Sequence, residues 1–277
     1  MSNLKVTLID VGWGDSIFIE SQVDAGENYY ALIDSNDTKY FRSSYIFLKR
    51  YFEKKDIKLP DDKPVFEFVI LSHAHSDHGQ GLKRIMREFG TKNFWYPKSL
   101  EWSSLSELIR FSNRSNNIEH HQSIDDTKIN ARFGDINLQI LWPPHDESAI
   151  DPNNENNNSV VIVLSLKSVS FVLTGDAEGE VWKRISHKIP QNTRFFKVPH
   201  HGSINGTFYN NDTPWFNNCS RNVFLGISSH IRPFRHPDQE VINLFNNNNQ
   251  KYFRTDESYH VTFQTDGNIV EVKYSHI

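Results

Sequence analysis

Cysteine is almost absent from this chain, with Cys219 alone among 277 residues. A lone cysteine cannot form an internal disulfide and lacks the paired spacing of a thiolate metal site, so we expect a reduced, cytoplasmic protein. The sequence contains no apolar run of about 18 residues, the length of a membrane-spanning helix. Met1–Ile9 also lacks the features of a secretory signal, so we expect neither secretion nor a membrane partner.

An excess of positive charge is also lacking, since 30 basic residues face 34 acidic ones and the net charge is −4. With this balance, the net charge of the whole chain does not attract nucleic acid. Any contact with nucleic acid must therefore come from a local basic patch. The simplest interpretation of the basic clusters is solvated surface, and a local grip on nucleic acid is the alternative. The clusters are Lys183, Arg184, Lys188, Arg194 and Lys197, and then Arg221, Arg232 and Arg235.

Apolar strand patterns and helical patterns alternate along the whole length, which predicts an α/β fold and a single domain over residues 1–277. Phe66–Leu71 is a short, nearly all-apolar run typical of a buried strand, and it leads directly to His73. Similar apolar segments precede Asp176 and His200. Polar, ligand-type side chains therefore follow the ends of several predicted strands, where the active sites of α/β folds gather.

The segment from His73 to His78 carries the strongest chemical signal. Four ligand-type side chains fall within six positions, namely His73, His75, Asp77 and His78. His73 and His75 are two residues apart and point the same way in extended backbone. Two imidazoles suit one divalent metal, and a carboxylate with an imidazole suits a second.

The HxHxDH order of these residues resembles the metallo-β-lactamase superfamily. Nearly end to end, the chain is similar to the soluble hydrolase domain of ComEC-type competence proteins and their stand-alone relatives. Further matching blocks occur in the order typical of that group. They are Val11–Ser16, Leu32–Asp34, Asn157–Ser159, Leu173–Asp176, Lys197–Ser203, Ser228 with Ser229, and His236 with Pro237.

The resemblance implies an αββα sandwich, two mixed β-sheets flanked by helices, and a centre of two divalent metal ions. His73 and His75 would bind the first ion, Asp77 and His78 the second, Asp176 both, and His201 would complete the second position. Imidazole-rich ligation favours Zn²⁺, and the carboxylates leave room for Mn²⁺. The catalytic candidates are Asp77 as an orienting group, and His200 and His236 facing the substrate. Asp15 and Asp34 are candidates for fixing histidine tautomers.

Two departures from the family pattern stand out. Lactamases, glyoxalases and ribonuclease Z carry another histidine before the bridging aspartate, and His120, His121 and His145 are the weak candidates for it here, all in polar, loop-like sequence. Trp13 stands where the family usually has glutamine.

Three functions stay open at this point. The leading hypothesis is a phosphodiesterase acting on DNA or RNA through a water activated by two metal ions. The alternative is a small-molecule hydrolase acting on a phosphocholine ester, a cyclic nucleotide or, less well supported, a lactam or thioester. The third is a binding module that keeps a metal site without turnover. The expected partner is a phosphodiester substrate such as nucleic acid.

Overall fold

The computed structural model of the protein describes residues 1–24, 26–59, 61–98, 103–127, 130–146 and 153–275. Within these ranges the strands form two mixed sheets. The first sheet has the order β15-β14-β1-β2-β3-β4-β5-β6, and the second has the order β13-β12-β11-β10-β9-β8-β7. The strands β3, β4, β5 and β6 of the first sheet run parallel to one another, and so do β10, β11, β12 and β13 of the second.

The strands of the first sheet are β1 (Asn3–Leu8), β2 (Ile17–Gln22), β3 (Asn28–Ile33), β4 (Phe66–Ile70), β5 (Thr91–Tyr96), β6 (Ile118–Ser123), β14 (His260–Thr265) and β15 (Val270–Ser275). Those of the second are β7 (Asn130–Phe133), β8 (Ile136–Trp142), β9 (Val161–Leu166), β10 (Val169–Leu173), β11 (Thr193–Lys197), β12 (Phe224–Ile227) and β13 (Tyr252–Arg254). The helices are α1 (Ser43–Lys54), α2 (Ser76–Gly79), α3 (Leu82–Phe89), α4 (Ser103–Ser112), α5 (Gly179–Ile185), α6 (Ile204–Thr207), α7 (Pro214–Asn218), α8 (Gln239–Asn247) and α9 (Thr255–Ser258).

Three buried apolar layers hold these elements together. The central layer joins the facing sides of the two sheets, for example Ile70 of the first sheet and Phe171 of the second. An outer layer packs α1, α3 and α4 on the first sheet, and another packs α5, α7 and α8 on the second. The predicted architecture of two mixed sheets packed face to face, with helices on both outer sides, is confirmed. None of the described helices is long and apolar enough to cross a membrane.

Three details differ from the sequence interpretation. Residues 118–123 form β6 rather than a loop, although the strand reads as polar because it lies at the edge of the sheet with several side chains exposed. The backbone at His73 bends instead of staying extended, with His75 N donating to His73 O at 3.0 Å. Lys197 was grouped with a solvated basic surface, and that interpretation is wrong for this residue because its side chain is fully buried.

Candidate metal centre

The candidate site lies where the parallel strands of both sheets end. Asp34 follows β3, His73 follows β4, Asp176 follows β10 and His200 follows β11. Carboxyl ends of parallel strands share one edge of a sheet, and the two packed sheets bring their edges together. Loops far apart in sequence therefore meet at one place.

Asp176 lies at the centre of a ring of imidazoles. Its Oδ2 atom is 3.3 Å from Nε2 of both His78 and His201, 3.9 Å from Nε2 of His200 and 4.0 Å from Nε2 of His73. The Asp176 backbone N–H donates to Ser159 Oγ at 2.8 Å, which fixes the loop after β10. The Asp176 carboxylate is therefore close to the predicted ligands of both metal positions.

The predicted ligands fall into two overlapping groups. The first metal position is the space bounded by His73, His75 and Asp176. There, His73 Nε2 and His75 Nδ1 lie 3.0 Å apart. The second position is bounded by Asp77, His78, His201 and Asp176. Three-residue clusters of potential ligand atoms within 4.8 Å of one another include His73 with His78 and Asp176, and Asp77 with His78 and His201. His75 belongs to neither of these two clusters. It adjoins the metal centre through its contact with His73.

Hydrogen bonds on the far side of each imidazole hold the predicted ligand atoms in place. His78 Nδ1 contacts Asp34 Oδ2 at 2.8 Å, and His201 Nδ1 donates to the Ser228 carbonyl at 2.9 Å. Both contacts place the ring proton on Nδ1 and leave Nε2 free to bind a cation. Asp34 also accepts from Ser72 N and Ser72 Oγ, so its own orientation is fixed.

The donor atoms fit a metal centre. His78 Nε2, His201 Nε2 and Asp176 Oδ1 are buried and form no well-directed hydrogen bond with any residue in the described ranges. Buried polar atoms are normally satisfied, so converging unsatisfied nitrogens and a carboxylate oxygen are typical of a cation-binding site. Neutral imidazole and carboxylate are also the donors that Zn²⁺ prefers.

The titration behaviour of the ligands agrees with this need for positive charge. Burial lowers the pKa of His78, but the carboxylates of Asp176, Asp34 and Asp77 outweigh it and hold that pKa well above its ordinary value. Burial would raise the pKa of Asp176, yet His201 and His78 hold it well below its usual range. Burial and the nearby His78 lower the pKa of His73 well below its ordinary value. Burial also lowers the pKa of His201, but Asp176 and Asp15 outweigh it and raise that pKa, so the carboxylates attract protons to His78 and His201 where a cation would sit.

Asp15 and Lys197 form a buried ion pair beneath the centre. Lys197 Nζ lies 2.7 Å from Asp15 Oδ2, and both side chains are fully buried. Asp15 Oδ1 is 3.8 Å from His201 Nδ1, and its Oδ2 is 3.9 Å from His78 Nδ1. These distances exceed hydrogen-bond range, so Asp15 acts on the histidines through charge rather than by fixing their tautomers. Lys197 begins the Lys197–Ser203 block that resembles the family, but nothing in the sequence indicates its pairing with Asp15.

His200 and His201 occupy a turn that sends their side chains to different surroundings. His201 is fully buried, whereas the His200 side chain keeps 19% of its surface exposed. His200 Nδ1 lies 3.2 Å from Glu178 Oε1, and Glu178 is held by the side-chain amides of Asn154 and Asn156. Glu178 is a neighbour that sequence reasoning missed, because a glutamate at a helix start is ordinary.

The remaining candidates lie outside the ligand clusters. The His236 ring is 5.9 Å from the His200 ring, and its Nδ1 is 3.5 Å from Asp238 Oδ2. His121 contacts Tyr96 and Asn113, and His145 contacts Asp125. Neither these two nor His120 joins any cluster of ligand atoms found in the described part of the chain. The additional histidine of the lactamases thus has no counterpart in these clusters.

A sequence model described as the metallo-β-lactamase superfamily matches residues 66–209, just over half of the chain. The chain belongs to the metallo-β-lactamase superfamily. The two-sheet architecture is the fold of this superfamily, whose hydrolases bind divalent metal ions, usually zinc, and the histidine and aspartate clusters fit that chemistry.

Two curated proteins are similar to this chain. "ComE operon protein 3" of Bacillus subtilis (strain 168) is 26% identical over 266 residues, covering 92% of this chain and 32% of that protein. "Uncharacterized protein YcaI" of Escherichia coli (strain K12) is 25% identical over 177 residues, covering 63% of this chain and 20% of that protein. The first match supports the predicted relationship to ComEC-type proteins, although the chain spans a third or less of the length of either relative.

Two solved structures are also similar. The flavodiiron protein from Giardia intestinalis has a TM-score of 0.35 and 16% identity, covering 62% of this chain and 38% of that one. A long form RNase Z from yeast has a TM-score of 0.44 and 12% identity, covering 83% of this chain and 37% of that one.

Proposed function

We propose that this protein is a metal-dependent phosphodiesterase that hydrolyses nucleic acid. The observation that carries the proposal is the convergence of four imidazole nitrogens on Asp176 Oδ2, at 3.3–4.0 Å, from two separate segments of the chain. The similarity to ComEC-type proteins supports a nucleic-acid substrate. The lactam and thioester alternatives are less well supported, because His120, His121 and His145 join no ligand cluster among the described residues.

Two positions for divalent ions follow from the ligand sets. His73, His75 and Asp176 would hold the first ion, and Asp77, His78, His201 and Asp176 the second; Zn²⁺ suits the imidazoles, with Mn²⁺ as the alternative. When bound, such a pair supplies an acidified water and neutralises the charge of the attacked phosphate. Asp77, which is partly exposed, would orient that water for attack.

His200 is the candidate for protonating the leaving oxygen. Burial would raise the pKa of Glu178, but His200 and the amides of Asn156 and Asn154 outweigh it and lower that pKa. The ionised carboxylate therefore holds a proton on His200 Nδ1 and turns Nε2 towards Asp176. In this orientation His200 Nε2 is the atom that would face the leaving oxygen. Burial lowers the pKa of His236, which suits a hydrogen bond to the phosphate better than proton donation.

The test is hydrolysis by the purified, metal-loaded protein of bis-p-nitrophenyl phosphate and of oligonucleotides of increasing length. We expect turnover of both, with kcat/KM rising with oligonucleotide length. Asp176→Asn should abolish turnover. His200→Ala should slow it by roughly 10²-fold or more, as expected for loss of a general acid.

The matched control is His145→Ala, which removes an exposed histidine outside the ligand clusters and should leave turnover unchanged. Hydrolysis of cyclic nucleotides or phosphocholine esters without length dependence would instead favour the small-molecule alternative. Absence of any phosphodiester hydrolysis would contradict the proposal.

A further inference from the structure

Two exposed loops beside the metal centre combine aromatic and basic side chains. Residues 38–42 carry Lys39, Tyr40, Phe41 and Arg42, and residues 230–236 carry Arg232, Phe234 and Arg235. Neither segment contains an acidic residue, although the whole chain carries a net charge of −4. We call these two segments the rim loops. Their charge is the opposite of the molecule's average, which makes them a local site for an anion.

The rim loops border a cavity beside the metal centre. The cavity has a volume of about 410 Å³, and its walls include Trp13, Phe41, Arg232 and His230. Asp77, one of the predicted ligands of the second position, lines the same cavity. A molecule bound in this cavity would therefore lie next to Asp77, at the edge of the second metal position.

Trp13 connects the rim loops to the centre. Its ring lies 4.9 Å from the His201 ring on one side and 4.3 Å from the Phe234 ring on the other. Its carbonyl accepts a hydrogen bond from the Asn36 side chain, which in turn accepts one from Gln80. The Trp13 ring thus places an aromatic surface between Phe234 and the metal centre.

The aromatic side chains of the rim are more exposed than folding alone would favour. Phe41 is 74% exposed and Phe234 is 58% exposed. Clustered exposed aromatics are typical of a binding surface. Arg232 and Arg235 form no ion pair with any residue that the structure describes, so both guanidinium groups are available to a ligand.

We propose that the rim loops and this cavity bind the nucleotides that flank the cleaved phosphate of a single-stranded nucleic acid. The bases stack on Phe41 and Phe234, with the Trp13 ring behind them, and Arg232 contacts the backbone phosphate. Stacking requires unpaired bases, because paired bases in a duplex are already stacked on one another. The link to cleavage rests on the proposed function, whereas binding itself does not depend on turnover.

The test is binding of a fluorescein-labelled phosphorothioate oligothymidylate to the metal-loaded protein, followed by fluorescence anisotropy. Phe41→Ala and Phe234→Ala should each weaken binding by roughly tenfold, as expected for loss of one stacked base. Arg232→Ala should lower the slope of log Kd against log salt concentration by about 0.7, the contribution of one phosphate contact on a single strand.

Matched controls lie elsewhere on the surface. Tyr274→Ala removes an aromatic side chain that is 54% exposed, and Arg132→Ala removes an exposed arginine of the edge strand β7. Both should bind the probe like the wild type. An abasic strand and a duplex of the same length should each bind about tenfold more weakly than the single strand.

Equal binding of single strand, abasic strand and duplex, or unchanged binding by the Phe41 and Arg232 variants, would overturn this inference. Hydrolysis of bis-p-nitrophenyl phosphate by the wild type is measured separately. Failure of that hydrolysis contradicts the proposed function while leaving the binding result decisive for the rim loops.

Discussion

At the scale of the residue, buried carboxylates set the chemistry of the site. Asp15, Asp34 and Asp176 are all at most 2% exposed, and each lies within 4 Å of a histidine nitrogen. Ionised groups are costly to bury unless they are paired or bound to a cation. Lys197 supplies part of the required positive charge, and a metal pair would supply the rest.

Asp34 controls the ligand atom of His78 by accepting its Nδ1 proton at 2.8 Å. An asparagine at this position presents an amide that can no longer fix the tautomer as a carboxylate does. Asp34→Asn should therefore lower metal affinity or turnover by about 10–100-fold, as measured by metal titration and kcat.

The matched control for Asp34→Asn is Asp37→Asn, because Asp37 is also buried but accepts hydrogen bonds from Ser44 N and Tyr45 N at the start of α1. We expect this variant to lose about 1 kcal/mol of stability and to keep its metal affinity. Equal loss of metal affinity in both variants would show that Asp34 acts only on the fold.

Lys197 is expected to be a stabilising partner of Asp15. Lys197→Met leaves the Asp15 carboxylate buried without its ammonium at 2.7 Å, so unfolding free energy should fall by about 3–5 kcal/mol. The double variant Asp15→Asn with Lys197→Met removes the unpaired charge and should recover part of that loss. Chemical denaturation measures both, and no difference between the single and double variants would contradict the pairing.

At the scale of the element, the turn after β11 decides which histidine reaches the centre. His200, His201 and Gly202 have φ values of 46°, 55° and 79°, all in the left-handed region. Such a run is costly for non-glycine residues, and the surrounding contacts must maintain it. Backbone bonds from His200 N to Gly175 O and from Asp238 N to Gly202 O do so on both sides.

Gly202→Ala should disturb this turn for two reasons. A Cβ at this position would lie 2.7 Å from Pro237 Cβ, and its φ of 79° disfavours alanine. We expect the variant to lose metal from the second position, because His201 moves with the turn. Metal analysis after gel filtration measures this.

Gly26→Ala is the control for Gly202→Ala, since Gly26 has a φ of 87° and no heavy atom within 4 Å of the added Cβ. An alanine at position 26 has the same unfavourable backbone conformation, but its Cβ collides with no neighbouring atom. The variant should therefore have a lower Tm and keep its full metal content. If Gly202→Ala also keeps full metal content, the turn does not position His201.

The sequence predicted most elements because their apolar patterns are local. The apolar runs of β4, β10 and β11 are readable without tertiary context. The strands β6, β7 and β13 were missed, because β6 is a polar edge strand and β7 and β13 are only four and three residues long. Such strands owe their pairing to neighbours rather than to their own composition.

At the scale of the whole molecule, the centre depends on packing between the two sheets. The HxHxDH order pointed to His73–His78, and motif resemblance pointed to Asp176 and His201. No local pattern could pair Lys197 with Asp15, or Glu178 with His200, since these contacts follow from the fold. Asp15 lies just before β2 of the first sheet and Lys197 ends β11 of the second, so their ion pair joins the two sheets.

The central claim is that His201, rather than His200, holds the second metal ion. His201 Nε2 is buried and 3.3 Å from Asp176 Oδ2, whereas His200 is partly exposed, its Nε2 is 3.9 Å from that oxygen and its Nδ1 lies against Glu178. The most direct measurement is the metal content of purified wild type, His200→Ala and His201→Ala after loading with Zn²⁺ and desalting. The two variants remove neighbouring histidines from one turn, so each serves as the control for the other.

We expect His201→Ala to retain about half the zinc of the wild type, because one of two positions loses an imidazole ligand. His200→Ala should retain all of it. Loss of zinc in His200→Ala, with His201→Ala fully loaded, would contradict the assignment of the pair. Full loading of both variants would remove this turn from the metal centre.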